Sequence, residues 1–271
     1  MFKKTNIICF IFLILFLFVF SRNIFADFKK DRVIDNIKKY ELNNIVATYT
    51  TYFNKADINR YNNIKLASEQ ISGRLIMPNE IFSFNKIVGP RIKSRGYKEA
   101  LEIINGKFVK GIGGGVCQVS STLYNSILLA DLKVIERNKH SLPVSYVPLG
   151  RGATVYYGQI DFRFKNNTKY PIMIMANLVN NQLTLAVLGK ANENTVEIIT
   201  TKSKVLSPKV IREVDKSLEL GSRKVLQSGK KGFEVLVRRL VKKGDKIIKD
   251  EFISKDIYSP RDTIIKINPK N

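Results

Sequence analysis

The most informative stretch of this sequence is Gly111-Ile112-Gly113-Gly114-Gly115-Val116-Cys117-Gln118-Val119-Ser120-Ser121-Thr122-Leu123-Tyr124. Its three consecutive glycines, Gly113, Gly114 and Gly115, lack a Cβ, so the backbone can turn sharply there and approach a ligand. From Gln118 to Leu129 the apolar residues recur at helical spacing, which predicts a helix. The start of a helix favours an anion, because its N–H groups are unpaired and its dipole is positive. The stretch therefore predicts a glycine turn that leads into a helix with Cys117 in its first turn.

Cys117 at that position has the features of a nucleophile, because the start of a helix stabilises a thiolate. The N–H groups between Gly115 and Gln118 would also receive the oxyanion of a tetrahedral intermediate. A thiol nucleophile needs a proton acceptor, and the chain contains one histidine, His140. We therefore predict a Cys117–His140 pair, with Asp161 or the Ser141 hydroxyl as the group that orients the imidazole.

Other interpretations of these residues stay open. A lone cysteine is often a small buried apolar residue, and a lone histidine is often a surface residue or a satisfied core residue. Ser120 and Ser121 lack the turn of a serine hydrolase, so we expect them to cap the helix, to pack or to bind substrate. No Lys-Ser or Lys-Thr follows the glycines, so a P-loop is poorly supported. With Cys9 in the apolar leader, no zinc cluster can be built, and no cofactor is expected.

Three arginines are candidates for binding an acidic ligand. Arg91, Arg95 and Arg151 lie in segments rich in glycine and proline, where binding residues often occur. A guanidinium suits bidentate binding of a carboxylate. The formal net charge of the chain is +23, so an arginine on the solvated surface is the more common role for any one of them.

Segments on both sides of the glycine turn predict an α+β domain over residues 45–190. On the N-terminal side we expect a strand over Ile45–Phe53 and a helix over Asn62–Leu75 that Pro78 ends. Asn105-Gly106 is a hairpin-turn signal. The helices therefore come early in this domain.

Strand patterns dominate the later part of the chain. Residues 160–165 alternate apolar and charged side chains, and residues 171–188 read as a hairpin around Asn180-Asn181. These segments predict a late antiparallel sheet. From residue 200 to 271 strand-like segments alternate with glycines, which predicts a small all-β module.

The N-terminus predicts export. Lys3 and Lys4 precede an apolar run from Ile7 to Phe20, and Ala26 offers a cleavage site. Residues 1–26 are expected to be a signal peptide or, if uncleaved, an anchor that attaches the protein to the membrane. Residues 27–44 are expected to be a short helical or linking segment. In an exported basic chain nucleic acid is a poor partner, and anionic wall polymers, anionic lipid or peptide carboxylates fit better.

Several motifs of this chain resemble the VanW family in the same order. They are Asn59-Arg60, Asn63-Ile64, Phe82-Ser83-Phe84-Asn85, Val88-Gly89-Pro90, the Gly113–Tyr124 block, His140-Ser141-Leu142-Pro143-Val144 and Tyr146-Val147-Pro148-Leu149-Gly150-Arg151. The resemblance runs from about residue 45 to 190. Residues 203–270 resemble, more weakly, the small β module called the G-five domain, which is associated with cell-wall polymers.

The resemblance implies a protein of the cell envelope, of a family known from glycopeptide-resistance gene clusters. Some members have been linked to cysteine-dependent L,D-transpeptidation of peptidoglycan, which makes 3-3 cross-links through a thioester. This implies Cys117 as the nucleophile, His140 as its partner and peptidoglycan stem peptides as the substrate. The expected oxyanion and substrate-binding residues are Gly113, Gly114, Gly115, Gln118, Ser120, Ser121, Tyr146 and Arg151. A cysteine hydrolase of peptidoglycan and a non-catalytic wall-binding protein are the alternatives.

The chain departs from the family pattern at two positions. Many members have an aspartate in the motif Gly-Arg-Asp-Ala-Thr, where this chain has Gly152. If that aspartate orients the histidine, its replacement bears directly on activity. Asn79 replaces the usual glycine in Pro78-Asn79-Glu80, which is expected to affect only a turn.

Overall fold

The computed structural model describes residues 27–104 and 106–269, so the predicted signal peptide or anchor lies outside the described residues. Four helices are described, α1 Asp27–Lys39, α2 Ile58–Ile71, α3 Phe84–Val88 and α4 Val116–Leu129, with a 3₁₀ turn at Lys93–Arg95. In this described part, no helix has the length and apolar character needed to cross a bilayer.

The strands of the first domain are β1 Asn44–Tyr52, β2 Arg74–Ile76, β3 Ile81–Ser83, β4 Glu99–Ile104, β5 Lys107–Ile112, β6 Lys133–Glu136, β7 Arg163–Lys165, β8 Ile172–Val179 and β9 Gln182–Gly189. Those of the second are β10 Asn194–Leu206, β11 Val210–Val214, β12 Arg223–Gln227, β13 Gly232–Lys243, β14 Lys246–Tyr258 and β15 Thr263–Ile267. All helices of the described residues thus lie before β10, and the fold class, α+β followed by a small all-β module, is confirmed.

A four-stranded antiparallel sheet in the order β1-β9-β8-β2 carries the core of the first domain. Helices α2 and α4 pack on one face, and α1 packs on the other through Val33 and Ile37, which contact Met173 and Met175. Because the first five residues of β8, Ile172–Ala176, are buried on both faces, they form a continuous apolar run. The segment expected to be helical or linking, residues 27–44, therefore contains a helix that covers this sheet.

Helix α2 shows where the predicted boundaries were wrong. It begins at Ile58, and the Asp57 side chain accepts a hydrogen bond from the Arg60 N–H at 3.0 Å. It ends at Ile71, and Gly73 turns the chain with φ +75°. Leu75 consequently lies in β2, so the helix ends well before Pro78.

Two smaller sheets lie next to the core. One has the order β3-β7-β6, and the other is the β4–β5 hairpin. The strand predicted over residues 160–165 is shorter in the structure, where β7 begins at Arg163. Ile160 forms an isolated bridge with Tyr156 instead. The β4–β5 hairpin leads directly into the glycine turn and α4, so it positions the start of that helix.

The second domain consists of two three-stranded sheets, β10-β13-β14 and β11-β15-β12. Strands β10, β13 and β14 are the longest, and they pair antiparallel along most of their length. The two domains come close together at Gly150 of the first domain. An added Cβ at this position would lie 2.5 Å from the side chain of Val237 in the second domain. Gly150 also has φ +80°, so both its conformation and this contact require a glycine.

Candidate active site

The glycine turn is built against protein atoms. Gly113 and Gly115 have φ +101° and +109°, which a residue with a side chain rarely adopts. A Cβ on Gly114 would lie 2.6 Å from the carbonyl oxygen of Leu101 in the β4–β5 hairpin. All three glycines are buried. The three glycines therefore have a packing role, in which they let the hairpin lie against the start of α4, and their role in receiving a ligand stays a prediction.

Cys117 lies in the first turn of α4, as predicted, and is half-buried. Its thiol donates a hydrogen bond to the carbonyl oxygen of Val155 at 3.4 Å. Burial raises the pKa of this thiol, while the positive charges of Arg91 and Arg60 act in the opposite direction. The thiol is consequently protonated at neutral pH, contrary to the expectation that the helix start makes it a thiolate.

The backbone around Cys117 offers one free donor. The N–H of Val116 donates to Gly113 and the N–H of Gln118 donates to Gly115, at 3.0 and 2.9 Å. The N–H of Cys117 has no acceptor among the described residues. This donor lies at the positive end of α4, where an oxyanion formed at the cysteine would be stabilised.

His140 is buried, with 6% of its surface exposed, and its Nε2 lies 3.2 Å from the hydroxyl of Tyr146. Its Nδ1 is buried, and no residue in the described part of the chain is its hydrogen-bond partner. Burial, followed by the charges of Arg137 and Lys139, lowers the pKa of His140 to about 4. The imidazole is therefore neutral at physiological pH.

Within the described residues, no hydrogen bond joins Cys117 to His140. Tyr146 links the two electrostatically, because its hydroxyl contacts the imidazole and negative charge on Cys117 would disfavour its ionisation. Burial is the main reason that the pKa of Tyr146 is raised. Cys117, Tyr146 and His140 thus form a cluster in which Tyr146 contacts the imidazole and is electrostatically coupled to Cys117, and the catalytic pair stays a prediction.

Asp161 does not orient the imidazole. Its carboxylate accepts hydrogen bonds from the Ser83 hydroxyl at 2.5 Å and from the Asn85 and Phe162 N–H groups, both at 2.8 Å. Asp161 therefore holds the start of α3. Ser141, the other candidate orienter, is exposed.

The group that lies against the imidazole is Gly152. A Cβ at this position would be 2.6 Å from the Nδ1 of His140. Because glycine brings no side chain, the Nδ1 loses a potential acceptor that an aspartate at this position would supply.

The polar residues of α4 predicted to bind substrate are buried and bonded within the protein. Ser120 donates to the Ala153 carbonyl at 2.6 Å, and the Ser121 hydroxyl accepts from the Ala153 N–H at 2.9 Å. Gln118 donates to the Thr51 hydroxyl and the Tyr52 carbonyl, both at 3.0 Å. In the described residues these three side chains therefore fasten α4 to its neighbours, and their role in substrate binding stays a prediction.

Arg151 is also internal. It is 7% exposed, its Nε donates to Asn125 Oδ1, and its guanidinium lies 5.6 Å from the ring of Tyr49. Burial lowers the pKa of this guanidinium. Arg95 donates to the carbonyls of Val88 and Pro90. Neither arginine is placed to receive a carboxylate beside Cys117.

Arg91 and Arg60 are the arginines of the site. Arg91 Nη1 donates to Asn85 Oδ1 at 2.7 Å, whereas its Nη2 is buried without a partner. Arg60 Nη2 donates to Gln118 Oε1 at 2.9 Å, and its guanidinium lies 5.9 Å from the Tyr146 ring. Both guanidinium groups contribute positive potential at the Cys117 sulfur.

Sequence reasoning missed Arg60 and the Val155 carbonyl. Arg60 stands in the Asn59-Arg60 motif, and that motif was a usable signal. A backbone carbonyl carries no signal in the residue type, so the contact with Val155 required the structure. In the described part of the chain, no group of three or more His, Cys, Asp or Glu side chains lies together as a metal site would require.

Two family models match this chain. The model described as VanW like protein matches residues 59–188, and the model described as G5 domain matches residues 197–270. The chain contains a VanW-like domain followed by a G5 domain. Cys117, His140 and Tyr146 all lie in the VanW-like domain, whereas β10 to β15 correspond to the G5 domain.

Two curated relatives are similar to the VanW-like domain. The uncharacterized protein YoaR of Bacillus subtilis (strain 168) is 47% identical over 131 residues, which are 48% of this chain and 43% of the relative. The vancomycin B-type resistance protein VanW of Enterococcus faecalis (strain ATCC 700802 / V583) is 36% identical over 125 residues, 44% of this chain and 46% of the relative. The chain thus matches less than half the length of either relative.

Two solved structures are similar to the G5 domain. The crystal structure of HP0197-G5 is 26% identical and covers 28% of this chain and 99% of that chain, with a TM-score of 0.20. The IgA1 protease G5 domain structure is 19% identical and covers 31% of this chain and 100% of that chain, with a TM-score of 0.24.

Proposed function

We propose that this protein is an exported, cell-wall-associated enzyme that transfers peptidoglycan stem peptides through Cys117, as an L,D-transpeptidase that makes 3-3 cross-links. Association with the cell wall is supported by the combination of a VanW-like and a G5 domain. One relative of the first domain is named a vancomycin resistance protein. The net charge of +23 suits a polymer environment rich in anions.

The observation that carries the catalytic proposal is the surroundings of the Cys117 sulfur. The thiol lies beside a free N–H at the start of α4, and two arginines raise the local positive potential. Tyr146, whose hydroxyl contacts His140 Nε2, is electrostatically coupled to Cys117. A nucleophile, a donor for an oxyanion and a proton acceptor are the three parts that acyl transfer requires.

In the proposed acylation, Cys117 sulfur attacks the carbonyl carbon that precedes the terminal D-alanine of a tetrapeptide stem. The thiol proton passes to the Tyr146 hydroxyl as that hydroxyl passes its own proton to His140 Nε2. The Cys117 N–H holds the oxyanion. The C–N bond then breaks, the departing amine takes the proton from His140 by the same route, and D-alanine leaves behind a thioester.

In the second half the side-chain amine of another stem attacks the thioester carbonyl. The new amide forms, the C–S bond breaks, and the proton lost by the amine returns to the sulfur of Cys117. Because thiol and imidazole are both neutral at rest, proton transfer accompanies each attack, and the charges of Arg60 and Arg91 stabilise the negative charge that develops.

Arg91 is the group we assign to the stem carboxylate, in place of Arg151. Its buried Nη2 has no partner among the described residues, and a terminal carboxylate would supply one. A donor stem that ends in a free carboxylate one residue beyond the scissile bond fits this requirement.

The proposal is tested by the intact mass of the full chain after brief incubation with a tetrapeptide muropeptide. We expect an adduct equal to the muropeptide minus D-alanine, and no adduct with Cys117→Ala. The Cys117→Ala variant should keep its thermal midpoint, which separates loss of chemistry from loss of folding. Trimmed monomer without cross-linked dimer would indicate the hydrolase instead.

A non-catalytic wall-binding protein is the second candidate, because the thiol is protonated at rest and the Nδ1 of His140 has no partner. This candidate predicts binding to isolated cell walls that weakens with salt and is unchanged by Cys117→Ala. An unmodified wild-type protein that binds walls in this way would favour it over the enzyme.

A further inference from the structure

The G5 domain and the VanW-like domain are joined by a buried ion pair, here called the Arg137–Asp256 clamp. Arg137 follows β6, and Asp256 lies on β14 of the G5 domain. Arg137 Nη1 and Nη2 lie 2.6 and 2.7 Å from the two carboxylate oxygens of Asp256. The side chains are 6% and 5% exposed, so this is a bidentate pair removed from solvent.

The Arg137 guanidinium also holds the segment that precedes Val155, the residue whose carbonyl contacts the Cys117 thiol. Arg137 Nε donates to the Gly152 carbonyl at 2.6 Å, and Nη2 donates to the Gly150 carbonyl at 3.1 Å. The Gly150 N–H in turn donates to the hydroxyl of Tyr258, at the end of β14, at 3.1 Å. Contacts to the G5 domain thus fix the position of Gly150 and, through Arg137, of Gly152.

Residues 150–155 line one side of the active site. Gly152 lies against the Nδ1 of His140. Ala153 exchanges hydrogen bonds with the serines of α4. The carbonyl oxygen of Val155 accepts a hydrogen bond from the thiol of Cys117. Every group that contacts the thiol or the imidazole from this side therefore lies within five residues of the carbonyl groups that Arg137 holds.

We infer that Arg137 and Asp256 are positioning residues, through which the G5 domain sets the geometry of the Cys117–Tyr146–His140 cluster. The catalytic consequence of this inference rests on the proposed function, whereas the positional part does not. The G5 domain is then a structural component of the active site in addition to any contact that it makes with the wall.

The hydrogen bonds from Arg137 to the two glycine carbonyls explain why a charged pair, and not an apolar pair, occupies this position. Two apolar side chains would hold the domains together as well as a buried ion pair does. They would not donate to the carbonyls of Gly150 and Gly152, which only a guanidinium with several N–H groups can do while it also binds a carboxylate.

The test measures the alkylation rate of Cys117 and the NMR resonance of His140, both in the absence of substrate. Iodoacetamide alkylation of Cys117 in the full chain is followed by peptide mass spectrometry, which separates it from Cys9. The His140 imidazole resonance, from the single histidine of the chain, is followed by NMR. In Asp256→Asn, we expect Cys117 to be alkylated at least tenfold faster, because the segment that covers the thiol loosens, and we expect the imidazole resonance to shift.

The matched control is Asp250→Asn, on the same strand. Asp250 pairs with Arg238 at the surface, where the two side chains are 40% and 54% exposed, so alkylation should stay within twofold of wild type. An Asp250 variant that changes the Cys117 rate as much as the Asp256 variant would overturn the inference.

A second variant, Arg137→Met/Asp256→Leu, guards against simple unfolding. It keeps the domains packed but removes the donors to the two glycine carbonyls, so the thermal midpoint should hold while alkylation accelerates and the imidazole resonance shifts. Wild-type alkylation and an unshifted resonance in this folded variant would overturn the inference. Failure of the proposed transfer reaction alone would leave these readouts unaffected, so the two failures are distinguishable.

Discussion

Cys117 and His140 are both uncharged at neutral pH, and burial is the main cause in each case. Burial disfavours the thiolate of one and the imidazolium of the other. A resting thiolate–imidazolium pair is therefore absent, and any reaction at Cys117 starts from the neutral pair. Arg60 and Arg91 become important in this arrangement, since their charges oppose the effect of burial on the thiol.

Protonation of His140 couples its burial to stability. The unfolded chain binds this proton near pH 6.5, whereas the folded chain resists it until about pH 4, so the free energy of unfolding falls as pH is lowered through that window. We expect a loss of about 2 kcal/mol from this group between pH 7.5 and pH 5. Urea unfolding at both pH values measures it, and His140→Gln should show a pH dependence smaller by that amount. Equal pH dependence in both proteins would contradict the value for His140.

Gly152→Asp should restore an acceptor to the imidazole. The carboxylate would lie beside Nδ1, so the pKa of His140 should rise by about one unit or more, as measured by NMR titration of the single histidine. The new Cβ starts 2.6 Å from Nδ1, so crowding should lower stability by about 1–3 kcal/mol. Gly152→Asn is the control: it should show the same loss of stability without the rise in pKa.

At the scale of elements, the start of α4 depends on how closely the β4–β5 hairpin approaches it. A Cβ on Gly114 would meet the backbone of Ala100 and Leu101 at 2.6 to 2.7 Å, and backbone cannot rotate away as a side chain does. The hairpin and the helix therefore move together.

Gly114→Ala should lower the free energy of unfolding by about 3 kcal/mol, because the hairpin must shift to admit the methyl group. Chemical denaturation measures this loss. Gly106→Ala, at the tip of the same hairpin, is the control: no atom lies within 4 Å of its Cβ, and only its positive φ opposes the change, at about 1 kcal/mol. Equal losses in the two variants would show that crowding at Gly114 is not the cause.

The spacing and composition of nearby residues predicted the elements whose formation depends mainly on local sequence. The strand β1, the helix α4 and the β8–β9 hairpin follow from composition and spacing. The end of α2 was misplaced, because Gly73 turns the chain before Pro78 is reached.

The site was harder to predict, since its parts meet through tertiary contacts. Tyr146 separates Cys117 from His140, and Asp161 is engaged at α3, two facts that no spacing in the sequence contains. Arg60 was within reach of sequence reasoning, because it stands in a motif already noted. The carbonyl of Val155 was out of reach, because any residue type supplies one.

At the scale of the whole molecule, the two domains are expected to unfold as one unit. Arg239 of β13 is 2% exposed and donates to the carbonyl of Leu128 in the last turn of α4 and to that of Leu132, just beyond the helix. It also pairs with Asp131 and Glu251 at 3.2 and 2.6 Å. An arginine of the G5 domain thus satisfies the C-terminal end of a helix in the VanW-like domain.

Arg239→Ala should therefore lower the free energy of unfolding by about 3 kcal/mol, because the buried carbonyls of Leu128 and Leu132 lose their donor, whereas Asp131 and Glu251 keep their ion pairs with Lys249. Differential scanning calorimetry should show one transition for the wild type and two for this variant. Arg238→Ala, the adjacent residue, is the matched control: its pair with Asp250 is exposed and should contribute at most about 1 kcal/mol. Two transitions in the wild type would contradict the coupling.

The pairing of β11 with β15 has a mechanical consequence. These strands run parallel, with Val210 opposite Thr263 and Val214 opposite Ile267. A pulling force that enters the chain before β11 and leaves it after β15 draws the two strands in opposite directions along their length. All the hydrogen bonds of the pair then carry the load together, instead of opening one after another as in a peeled hairpin. A G5 domain loaded between these two points would resist extension in shear.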